Sequence, residues 1–167
     1  MVSLVALQYD DVGEASRAAA RVVRQGDPAT PAGGSPLSTG GLAVAWWRSR
    51  APSPSFRPLT TPGSPHVGPA FWGLLFGTVF YLPLIGAALG RTTGTDSDLL
   101  ADLGIGDTFV NRLRDQLVPG TSALVVVWTQ PDTVSLLALG TAHDRHLALV
   151  AGLDDAQQAA LWEVFGA

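Results

Sequence analysis

Residues 58–90 carry no Asp, Glu, Arg or Lys. Within them, 67–90 reads VGPAFWGLLFGTVFYLPLIGAALG, an apolar run studded with glycine. Such a segment must be hidden from water, because a large contiguous apolar surface is costly to leave exposed. Three hiding places exist: a bilayer, the chain's own core, or other copies of the chain.

The rest of the composition keeps all three open. Charged residues make up 14% of the chain and hydrophobic ones 47%, whereas soluble domains carry about 25% charged residues. The deficit points to extra buried or lipid-facing surface. A length of 167 residues suits one domain with an insertion and a sizeable core. The net charge of -4 and the lack of a basic tract argue against a nucleic-acid partner. Without cysteine there is no disulfide framework, thiolate metal site or Cys nucleophile. The opening MVSLVALQYDD has no basic n-region, and its apolar run stops at Gln8 before two aspartates. It does not read as a signal peptide, so a cytoplasmic location is expected, on or off the inner face of the cell membrane.

Residues 2–9 are apolar and rich in β-formers, a first strand. Asp11 and Glu14 have capping-box spacing. Val12, Ala15, Ala18, Ala19, Val22 and Val23 then follow at helical intervals up to Gly26. Residues 27–41 (DPATPAGGSPLSTGG) read as a flexible loop, and 42–48 (LAVAWWR) as a second strand. Five prolines in 51–65 leave an extended tether with no regular structure. A helix opens at Gly106-Asp107 with Asp107 as its N-cap, and Pro119-Gly120 is a turn. Residues 121–129 (TSALVVVWT) give the strongest strand signal. A short helix over 132–138, a strand over 145–151 and a last helix capped by Asp154 and Gln157 complete the chain.

This order predicts a ferredoxin-like α+β fold: a four-stranded sheet with helices on one face and an inserted Gly-rich apolar hairpin. A small parallel α/β sheet is the competitor. The units are 1–50 (first βαβ half), 51–66 (tether), 67–95 (hairpin insertion) and 96–167 (second half). The strands are continuous apolar runs rather than alternating ones, which predicts cover on both sheet faces. The second face would then need the insertion or a second subunit.

The apolar segment is long enough for one membrane span, but Pro83 interrupts it. A single span would also put the flanking strands on opposite sides of the bilayer. A hairpin broken near Pro83 avoids both problems. Its arms, about 18 Å each at 1.5 Å per residue, are too short to cross. Gly73 with Gly77, and Gly86 with Gly90, have the G-x-x-x-G spacing that lets helices approach closely. Phe71, Trp72, Leu75, Tyr81 and Leu84 join these glycines as the expected membrane-contact or self-assembly residues.

GPAFWGLLFG, YLPLIGAALG and DLGIGDTFVNRLRDQLVPGTSALVVVW together resemble a bacterial predicted-membrane-protein family, domain of unknown function 1269. The resemblance covers roughly 69–128. It implies a ferredoxin-like core with a glycine-zipper insertion and membrane association, and it supplies no activity and no catalytic residues. The Pro-rich, Lys-free stretch 27–65 departs from the family pattern.

Chemistry-bearing motifs are sparse. His143 and His146 in HDRH are weak metal candidates without a third ligand, and a solvated turn is the competing reading. Gly104-Ile105-Gly106 lacks the third glycine of a dinucleotide loop. Trp46 and Trp47 point to opposite faces of a strand, which makes them interface candidates together with Trp128. The expectation is a non-enzymatic, cofactor-free interaction protein whose partner is itself. It would oligomerise through its sheet and glycine-zipper hairpin, giving either membrane association or self-assembly into a larger particle. The alternative is a small ligand- or metal-binding module or enzyme of the same fold.

Overall fold

The computed structural model describes residues 2–25, 39–59, 67–80, 100–128 and 148–166. In chain order these form β1 (Val2–Tyr9), α1 (Glu14–Gln25), β2 (Thr39–Trp46), β3 (Ser55–Leu59), α2 (Pro69–Val79), α3 (Asp107–Gln116), β4 (Ser122–Trp128), β5 (Ala148–Leu153) and α4 (Asp155–Phe165). The strands make one five-stranded sheet in the order β3-β2-β4-β1-β5. Every neighbouring pair is antiparallel, which removes the parallel α/β alternative.

The sequence explains which strands are central. All residues of β1 and of β4 are buried, as their unbroken apolar runs require of strands covered on both faces. Val5 pairs with Val126 on one side and Val150 on the other. β3 is the fifth strand that the proline content hid. Ser55–Leu59 lies in the expected tether, and Pro58 sits opposite Ala43 at the sheet edge. An edge strand tolerates proline because one side of its backbone has no ladder partner to lose.

The helices do not share one face. Val5, Leu7, Leu42, Val44, Leu124 and Val126 form a cluster with Ala15, Ala18 and Ala19 of α1. The small side chains let the helix sit close to the sheet. On the opposite face Leu4, Ala6, Ala43, Ala45, Val125 and Val127 join side chains of α2, α3 and α4. α2 of the insertion, α3 and the C-terminal helix α4 therefore supply the second cover within one chain.

Local signals had mixed outcomes. Asp154 and Gln157 form a reciprocal capping box on α4, with Gln157 N–H donating to Asp154 Oδ1 at 2.8 Å and Asp154 N–H to Gln157 Oε1 at 2.9 Å. Asp154→Ala is expected to cost about 1 kcal/mol, read as a lower urea midpoint at unchanged m-value. At α1, by contrast, Asp11 accepts from Gly13 N–H at 2.7 Å and Glu14 is engaged by Arg17 and Arg21. α3 starts one residue earlier than predicted. Gly106 is its N-cap, and Asp107 lies in the first turn, where its negative charge is favourable beside the helix dipole's positive end. β2 likewise begins at Thr39, inside the expected loop. The predicted helix over 132–138 and the rest of the loop before Thr39 lie outside the described residues.

Candidate functional site

α2 is the first arm of the predicted hairpin, and its sequence PAFWGLLFGTV leaves no polar face. A helix apolar all round is stable only when surrounded. Phe71, Leu75, Phe76 and Val79 are fully buried, Trp72 and Leu74 nearly so, and Gly77 is buried while Gly73 is half-buried. They pack among residues of this same chain. The rings interlock: Phe76 stacks on Phe56 of β3 at 4.8 Å between centroids, on Phe80 at 5.6 Å and on Trp72 at 6.3 Å. Phe71 meets Trp72 and Phe165 edge-on.

Both ends of α2 are fastened to distant parts of the chain. At the N-terminal side Val67 N–H donates to Gly40 O at 2.8 Å and Gly68 N–H to Phe165 O at 2.7 Å. Val67 also forms an isolated bridge with Gly166. The approach depends on glycine in β2. A Cβ on Gly40 would lie 2.6 Å from the Trp162 ring of α4. Gly41, at a bulge, has φ +131, a backbone conformation that side chains disfavour. At the other end, Arg114 of α3 donates from Nε to Val79 O and from Nη2 to Thr78 O, both at 2.7 Å. Its Nη1 donates to Asn111 Oδ1 at 2.7 Å. A guanidinium thus caps two carbonyls of the last turn of the helix.

α2 ends at Phe80, so its eleven residues span about 17 Å at 1.5 Å per residue. Among the described residues no helix is long and apolar enough to cross a membrane. Of the expected contact residues, Phe71, Trp72, Gly73, Leu75 and Gly77 fall on this helix within the core, and Tyr81, Leu84, Gly86 and Gly90 lie outside the described residues. Trp128 is only 1% exposed and belongs to the cluster under α1, so it is a core residue rather than an interface. Trp46 is half-buried against the same cluster. Trp47 is half-buried and donates from Nε1 to Ala51 O at 3.1 Å.

Among the described residues, Glu14 and Tyr9 are shifted by contacts within the fold. Glu14 is held below the usual carboxylate range by hydrogen bonds from Arg17 and then Arg21 on the outer surface of α1. Burial pushes the Tyr9 phenol up to about 12, with Arg21 opposing the shift, which leaves it a poor acid or base near neutrality. Ser122, fully buried, accepts from Ala15 N–H at 3.1 Å and donates to Asp11 O at 2.5 Å, tying β4 to the start of α1. Among the described residues no group of three or more His, Asp or Glu is placed to hold a metal ion. His143 and His146 lie outside them.

The residues that sequence reasoning missed are the fasteners: Gly40, Gly41, Arg114, Phe165 and Gly166. Each acts on a partner far away in sequence, and no local motif marks it.

The chain belongs to the family described as Protein of unknown function (DUF1269), whose match covers residues 67–166. The matched stretch runs from Val67 to Gly166, the two partners of the isolated bridge, and takes in α2, α3, β4, β5 and α4. No match is found among curated proteins or among solved structures.

Proposed function

We propose that this family member is a non-enzymatic structural protein that associates with copies of itself, built on a ferredoxin-like core. The order β5-β1-β4-β2 supports that core: β1 and β2 run parallel with β4 between them, and β4 and β5 run parallel with β1 between them. β3 and the α2–α3 region are then additions to the ferredoxin-like plan.

The burial of α2 in the chain's own core carries the reading. It hides half of the apolar run without lipid. The other half, YLPLIGAALG at 81–90, has no charged residue and is the segment we assign to contact between copies. Gly86 and Gly90 give it the spacing for close helix packing. Membrane attachment through this segment is the second reading, favoured by its uncharged composition.

Light scattering of the detergent-free protein, paired with liposome flotation, tests both. A discrete oligomer that shrinks in the Tyr81→Ser, Leu84→Ser double variant and stays below the lipid is the expected result. Flotation with the lipid, lost in the same variant, would favour attachment instead. A size unchanged by the double variant, with no flotation, would sink both.

A further inference from the structure

We draw no further inference here: the strongest candidate, the surface patch at the turn between β2 and β3 where Arg48 and Arg50 are exposed beside the half-buried Trp47, shares its end of the sheet with the exposed Asp10 and Asp11, and nothing in the structure shows what covers it.

Discussion

Phe76→Ala is expected to destabilise the fold by about 3–5 kcal/mol, the range for emptying a buried aromatic site. Phe76 has no exposure, and its ring stacks on Phe56, Trp72 and Phe80. It is therefore the point where the apolar insertion, the proline-bearing edge strand and the end of α2 meet. Removing it leaves a cavity that three rings cannot fill without leaving their own contacts. Each ring pair also adds about 0.5–1.5 kcal/mol beyond its buried area. Urea unfolding monitored by circular dichroism measures the effect. A loss below about 1 kcal/mol would place Phe76 outside the core.

Arg114→Leu should cost about 2–3 kcal/mol, because it strips two charge-assisted hydrogen bonds from the carbonyls of Thr78 and Val79. Those carbonyls belong to the end of a helix that has no basic residue in its own last turn, and α3 supplies the charge it lacks. Arg114→Lys should recover only part of the loss, since an ammonium cannot reproduce the planar fork that reaches both oxygens. Equal midpoints for Arg114→Leu and the wild type in urea unfolding would show that the cap is unimportant.

How far the sequence reveals the fold depends on the range of the interaction involved. β1 and β4 are legible because their apolar runs report burial directly. The box at Asp154 and Gln157 is legible because both partners lie within one turn. The cover on both sheet faces follows from the same runs, but the identity of the second cover does not. An apolar helix reads alike whether lipid, a neighbour or its own sheet surrounds it. What decides in favour of the core lies far away in sequence: Gly40 accepting from Val67, Phe165 accepting from Gly68, and Arg114 reaching Thr78 and Val79. Pro58 misleads for a related reason. Proline forbids a central strand but permits an edge, and edge position is a property of the assembled sheet. Trp128 misleads in the other direction, since an aromatic suited to an interface is equally suited to a core that a helix closes over.

Hydrogen exchange of α2 in lipid-free, detergent-free buffer, at a concentration where the chain is a monomer, tests the central claim most directly. The amides of 73–79 should exchange as slowly as those of β1 and β4, and adding liposomes should leave their rates unchanged. Fast exchange in buffer, with protection appearing only on addition of lipid or at high protein concentration, would show that the apolar helix is hidden by a bilayer or by other copies and not by its own core.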